Sequence, residues 1–303
     1  MSSAVAAPAR PAAIWAAFAI VYLVWGSTYL AIRVGVTDLP PFLFAGVRFL
    51  AAAAILLAVC HWRRDAWPRT REDARRIVIT AVLMLVGANG MVTWAEQWVP
   101  SNQAALIVAT SALWMAAIGS LGGRGERVTA WTRVGLLLGF GGVGLLVAEG
   151  LNGPEAPMLA YAMLALSPLL WAAGSIFARR YPPGGAPLMV AALQMLVTGV
   201  IQTTVGLSLG EAARWQWTPE SFAALVYLTV FGSCIAYGAY YWLVHQVTPS
   251  QLGTYAYVNP AVAVLLGWVL LGETLNPPQV LGTVVILLAV MVVTWAQRTR
   301  VRA

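Results

Sequence analysis

Trp15, Phe18, Tyr22, Trp25 and Tyr29 follow one another three and four residues apart, a spacing that on a helix projects all five from one face. Such a stripe either packs against helices and lipid or forms the wall of a binding cavity. Trp15 and Tyr29 fall near the ends of their apolar stretch, where aromatic belts are ordinary, whereas Tyr22 and Trp25 fall near its middle. Polar side chains recur in other apolar stretches: Asn89, Thr93 and Glu96 on one face, Thr110 and Trp114 on another, and Ser167, Trp171 and Ser175 four residues apart. Tyr237, Tyr240 and Tyr241 form a further group, followed by Tyr255 and Asn259. A polar group in hydrocarbon is costly unless it faces protein or a water-filled space. The candidate substrate-binding set is therefore Tyr22, Trp25, Ser27, Asn89, Thr93, Trp114, Trp171, Ser175, Tyr237, Tyr241, Tyr255 and Asn259. Together their hydroxyl, amide and indole groups describe an amphipathic pocket suited to a small solute with an apolar body and a few hydrogen-bonding groups. Individually, each has an alternative reading as a bond across a helix interface.

Pro168 and Pro260 lie inside apolar stretches, remove helical hydrogen bonds, and are hinge candidates or static kinks. Arg48 lies several residues inside the second stretch. It either snorkels, pairs with a carboxylate such as Asp38 or Glu273, or recognises a substrate carboxylate. No Asp or Glu falls near the centre of any stretch, since Glu96, Glu149 and Glu273 stand near ends, so a proton relay through a central carboxylate is not expected. His61 and His245 are the only histidines, and no His-Glu-x-x-His motif or paired intramembrane aspartates occur, which argues against an enzyme. Cys60 and Cys234 each sit in apolar surroundings and suggest neither a disulfide nor a metal site. No cofactor is expected.

The elements that must position these groups are ten apolar stretches near 12–33, 40–61, 76–97, 101–122, 128–148, 157–178, 187–208, 221–244, 250–271 and 277–297. Each is close to the roughly 20 helical residues that cross a bilayer's hydrocarbon core. With 60% hydrophobic and only 10% charged residues, the chain has the composition of an all-α polytopic membrane protein. All 18 basic residues are Arg. Fifteen of them, from Arg10 through the cluster Arg63 to Arg76 and on to Arg302, fall on one alternating side, leaving Arg33, Arg48 and Arg214 on the other. The positive-inside rule then puts both termini in the cytoplasm. The basic loops read as orientation signals and lipid contacts, not as a nucleic-acid surface. The first stretch is longer than a signal-peptide core and is expected to be retained.

Compared with itself at an offset of 147, the chain aligns Gly125-Glu126 with Gly272-Glu273 and Gly135 with Gly282; Pro100-Ser101 and Pro249-Ser250 open the preceding stretches. Gly26-Ser27 and Gly174-Ser175 add a fainter match. The expected organisation is a five-helix repeat over 1–150 and a second over 151–303, joined near Asn152-Gly153-Pro154. Five crossings per repeat invert the second copy, and two inverted copies enclose a central cavity, as alternating access requires.

Trp25-Gly26-Ser27, Arg48-Phe49, and above all Asn259-Pro260 followed by Leu271-Gly272-Glu273 and Gly282, resemble the EamA branch of the drug/metabolite transporter superfamily over essentially the whole chain. The first-half copy departs from this pattern, reading Gly123-Arg124-Gly125-Glu126 with no proline at Leu113. The resemblance implies ten helices and export of small metabolites, often amino acids. Combined with the pocket lining, it yields an expectation of amino-acid export, including aromatic or other apolar ones, without obligatory proton coupling. A broad drug/metabolite:proton antiporter is the alternative. The expected location is a bacterial inner membrane, with a small-molecule substrate and the lipid bilayer as partners, in a monomer or weak homodimer.

Overall fold

A computed structural model describes residues 10–120, 130–151 and 157–301. Among them the secondary structure is helical and falls into ten longer runs, α1 (Pro11–Asp38), α2 (Pro41–Arg63), α3 (Arg71–Ala95), α4 (Ser101–Gly119), α5 (Ala130–Leu151), α6 (Met158–Arg180), α7 (Pro187–Ser208), α8 (Pro219–Gln246), α9 (a turn, Pro249–Leu252, then Tyr255–Leu271) and α10 (Pro277–Val301), with a short 3-10 turn at Glu211–Arg214 between α7 and α8. Seven of these, α1 to α4 and α6 to α8, are long and apolar enough to cross a membrane; the apolar parts of α5, α9 and α10 are shorter, at Arg133–Leu145, Val258–Leu271 and Pro277–Ala289. The first-half motif Gly123-Arg124-Gly125-Glu126 and the expected linker at Asn152-Gly153-Pro154 lie outside the described residues.

Local sequence explains where the helices start. Proline occupies the first turn of α1, α2, α7 and α8, where its missing N–H costs nothing. Thr70 with Asp73 and Thr218 with Ser221 form reciprocal caps at the starts of α3 and α8. Both of those helices contain a central π-helical segment, Ala81–Asn89 in α3 and Leu228–Tyr237 in α8. A π turn takes an extra residue and frees the local carbonyls from the α pattern. In α3, the buried amide of Gln202 on α7 donates to Leu85 O at 3.1 Å. The end of α9 shows why Leu271-Gly272-Glu273 takes its form. Gly272 adopts φ +65°, a left-handed conformation that closes the helix with Glu273 N donating to Gly267 O. That turn aims the Glu273 carboxylate at the start of α4, where it accepts from Ser101 N and Oγ, both at 2.9 Å, and from Asn102 N at 3.1 Å. The carboxylate thus satisfies N–H groups a helix start leaves open. A Cβ on Gly267 would collide with it.

Helix packing repeats itself across the chain. α2 packs on α7 and α5 on α10; α1 packs on α8 and α9, as α6 packs on α3 and α4; α2 contacts α8 as α7 contacts α3. Adding five to each helix number maps each of these pairs onto itself or onto another of them, the pattern of two like halves related by a pseudo-twofold. The connections gather at two ends. At one, Gly184 N donates to Asp73 and Ala186 N to Ala66 O. At the other, Leu43 N donates to Glu211 and Gln216 N to Asp38 O. Large apolar side chains such as Leu137, Leu265, Trp268, Leu270 and Leu281 are exposed on the outer faces of α5, α9 and α10.

Candidate functional site

Between the halves lies a cavity in which the centre of a water-sized sphere can move through about 80 Å³. Six of the sequence-selected residues line it: Trp25, Asn89, Trp171, Tyr237, Tyr255 and Asn259. Trp25 and Trp171 meet edge to face with centroids 5.2 Å apart, Trp25 lies 4.7 Å from Tyr240 and 5.8 Å from Tyr255, and Trp171 lies 6.3 Å from Tyr237. Tilted and T-shaped ring pairs of this kind stabilise one another by about 0.5–1.5 kcal/mol beyond their burial.

The polar tips of these aromatics point into protein. Trp25 Nε1 donates to Gly232 O at 3.3 Å and Trp171 Nε1 to Tyr240 Oη at 3.0 Å. Tyr240 Oη also shares a hydrogen bond with Ser175 Oγ at 2.8 Å, and Tyr255 Oη does so with Ser111 Oγ at 2.8 Å. Tyr237 Oη donates to Gln194 Oε1 at 2.6 Å. In the orientation that satisfies its amide, Asn259 donates to the carbonyls of Tyr22 and Tyr255. What this wall offers a solute is ring faces.

The other selected residues lie outside the cavity wall. Tyr22 bonds Thr254, Ser27 bonds Val24 O and Tyr227, and Thr93 bonds Asn89 O in its own helix. Trp114 packs edge to face on Phe140 at 4.9 Å, Ser175 bonds Tyr240 and Trp171 O, and Tyr241 stacks on Tyr237 and meets His245 edge to face. Pro168 is buried in α6 next to the cavity residue Ser167, and Pro260 is buried in α9 next to Asn259. Cys60 and Cys234 are free thiols.

Tyr29 lines the cavity, although its position near the end of α1 suggested an aromatic belt; Trp15, at the other end of the same stripe, is 70% exposed. Arg48 also lines the cavity and is 5% exposed. It pairs with neither Asp38 nor Glu273. Asp38 accepts from Thr218 Oγ1, and Glu273 is committed to the start of α4. Instead Arg48 Nη2 donates to Asn89 Oδ1 at 2.9 Å, its guanidinium lies 4.2 Å from the Phe49 ring centroid, and its Nε–H is buried without a partner. A charge at such depth costs about 2.5–3.5 kcal/mol on insertion scales. Glu96 stands near the end of α3 in sequence yet is fully buried, with both carboxylate oxygens unpartnered. Arg33 donates to its backbone carbonyl. A separate, open vestibule of about 460 Å³ is lined by Arg33, Asp38, Pro100, Glu220 and Glu273.

Ser233 and Gln194 were not among the residues selected from sequence. Ser233 lines the cavity with an unpartnered hydroxyl, and nothing in its surroundings in the chain sets it apart from other serines. Gln194 is fully buried, and an amide inside an apolar stretch was a readable signal.

Long apolar helices, a packing pattern that repeats across the chain and a cavity lined by aromatic rings fit a polytopic membrane transporter. The chain belongs to the EamA-like transporter family, whose profile matches it twice, over residues 11–148 and 158–295. It is 41% identical over 275 residues to the uncharacterized inner membrane transporter YedA of Escherichia coli, covering 90% of this chain and 88% of that one. It is 25% identical over 293 residues to a probable amino-acid metabolite efflux pump of Salmonella typhimurium, covering 93% and 94%. A solved crystal structure superposes with a TM-score of 0.68 at 22% identity, over 97% of this chain and all of the other, and shares the fold.

Proposed function

We propose that the protein exports small metabolites, most of all amino acids with aromatic or other apolar side chains, from the cytoplasm by alternating access. The observation that carries this reading is the cavity between the two halves, whose wall presents the rings of Trp25, Trp171, Tyr237 and Tyr255 while their polar tips are held by protein. The name of the Salmonella relative points to the same substrate class.

In this reading all ten helices cross the inner membrane as two inverted five-helix repeats, 1–150 and 151–303. The double match of the family profile and the repeated helix pairing support the duplication. Arg63, Arg64, Arg69, Arg71, Arg75, Arg76, Arg179 and Arg180 lie at or next to the end where the α2–α3 connection meets the α6–α7 connection, which supports cytoplasmic termini. The unit is a monomer or weak homodimer in the bilayer. Pro168 and Pro260 act as hinges.

Flux runs down the substrate's own gradient, since among the described residues no carboxylate lines the cavity. A proton-coupled antiport is the second reading, favoured by the buried, unpartnered carboxylate of Glu96. Counterflow of labelled amino acids in proteoliposomes, with and without a proton ionophore, tests both. Exchange that survives the ionophore and survives in Glu96→Gln supports the uncoupled carrier. Its loss in both makes Glu96 the coupling group, and absence of counterflow for every amino acid removes the substrate assignment.

A further inference from the structure

The cavity's polar groups divide unevenly. On the side built by α1, α6, α8 and α9, the tips of Trp25, Trp171, Tyr237 and Tyr255 are spent on protein partners. On the side built by α2 and α3 stands Arg48, which among the described residues forms no ion pair and gives one hydrogen bond, to Asn89. The buried Nε–H is unpartnered, and Ser233 adds a second unpartnered group to the same cavity. Glu96 bears on Arg48 electrostatically but does not reach it within ion-pair distance, and Arg33 lines the outer vestibule instead of the cavity. A guanidinium is a planar fork of donors whose natural complement is a carboxylate held by two parallel hydrogen bonds.

Resting on the reading that solutes pass through this cavity, we propose that Arg48 anchors the carboxylate of the transported solute while the rings of Trp25, Trp171, Tyr237 and Tyr255 hold its apolar body. The substrate class is then a monocarboxylate with an apolar or aromatic body. One cavity cation suits one negative charge. The Phe49 face and the Asn89 carbonyl oxygen hold the guanidinium in place, so the empty site keeps its shape until the anion arrives. Because the tips of Trp25, Trp171, Tyr237 and Tyr255 are already bonded, and Arg48 is the one charged side chain in the cavity wall among the described residues, recognition of the ionic end falls to Arg48.

The test compares solutes that differ only at the ionic end. The purified full-length protein in detergent is titrated with 3-phenylpropanoate and 3-phenylpropanamide, and with 4-methylpentanoate and 4-methylpentanamide, reading the fluorescence of the cavity tryptophans. The expected result is carboxylate binding about ten- to hundredfold tighter than carboxamide binding in the native protein, the worth of a charge-assisted pair. Arg48→Gln abolishes that preference, weakening carboxylate binding far more than carboxamide binding, and Arg48→Lys retains part of it. Equal binding of acid and amide by the native protein overturns the proposal without requiring any variant to fold. So does a preference that persists in Arg48→Gln, or failure of every carboxylate to bind. Failure of the amino-acid counterflow described above, with the acid preference intact, removes the amino-acid reading and leaves the Arg48 anchor standing.

Discussion

Helices α2 and α3 of the first half and α7 and α8 of the second are built on one frame. Arg48 and Gln194 each stand seven residues after the proline that opens their helix, and Asn89 and Tyr237 each end a π-helical segment that a glycine follows. In each half the two meet in a hydrogen bond across the helix pair, Arg48 to Asn89 at 2.9 Å and Tyr237 to Gln194 at 2.6 Å. The backbone device is shared while the chemistry differs: a cation with donors to spare on one side, a neutral phenol–amide pair on the other. A duplicated scaffold thus supplies equivalent positions in pairs, of which Arg48, Asn89 and Tyr237 line the cavity, and substitution within a pair makes the cavity polar at one side and aromatic at the other.

Moving the charge to the other half tests this asymmetry most severely. Gln194→Arg puts a guanidinium at a position with no exposure, opposite a phenol that cannot neutralise it. It is expected to cost about 3 kcal/mol or more, as uncompensated buried charges do, and to lower the melting temperature and yield in detergent sharply. Arg48→Gln, which makes the first half resemble the second, removes a buried charge and leaves the yield near the native level. If Gln194→Arg is tolerated as well as Arg48→Gln, the two sites are interchangeable and the asymmetry carries no meaning. Next in size are Trp25→Ala and Trp171→Ala. Each deletes a ring the cavity wall depends on and should reduce proteoliposome transport about tenfold, through a loss equivalent to roughly 1–2 kcal/mol of ring contacts. Unchanged transport in both reduces the aromatic wall to packing.

The repeat, the charge pattern and the aromatic stripe were legible because they depend on residue type and on the 3.6-residue period alone. Tyr22 and Trp25 show the limit of that period. Both lie on the inward face of α1, yet Tyr22 meets Thr254 and only Trp25 reaches the cavity, because what a face meets depends on the neighbouring helix. The π segments shift the register of α3 and α8, so counting α-helical steps along either one misjudges which later residues share the direction of Asn89 or Tyr237. Arg48 was conspicuous as a charge, but its partner was not. Asp38 and Glu273 were plausible mates until the turn at Gly272 committed Glu273 to α4.

A gentler probe of the second-half pair removes one oxygen. Tyr237→Phe leaves the Gln194 amide buried with its carbonyl unsatisfied and should cost about 1–2 kcal/mol in thermal unfolding. Tyr241, one turn further along α8, is as deeply buried, but its hydroxyl makes no hydrogen bond of regular geometry and only approaches the Gln194 side chain, so it has less to lose. Tyr241→Phe should therefore be neutral within about 0.5 kcal/mol or mildly stabilising. Equal costs for the two would mean that ring packing, not the phenol–amide bond, holds this pair.

The smallest effect concerns the ties between halves, which also come in pairs. Asp73, at the start of α3, accepts from Gly184 N ahead of α7; Glu211, between α7 and α8, accepts from Leu43 N at the start of α2. Glu211 is 1% exposed, and burial raises its pKa above the ordinary 4.5, against the opposing pull of the Leu43 N–H and of Arg214 at 3.7 Å. The folded state therefore favours the protonated acid more than the unfolded state does. For a group raised in this way the stabilisation is complete below 4.5 and is lost as pH rises through the folded-state value. Measured in detergent, the melting temperature of the native protein relative to Glu211→Gln should fall as pH is raised from about 4.5 toward neutrality, because the amide does not titrate. A difference that stays flat with pH would show that the Leu43 tie, not burial, sets the charge state of Glu211.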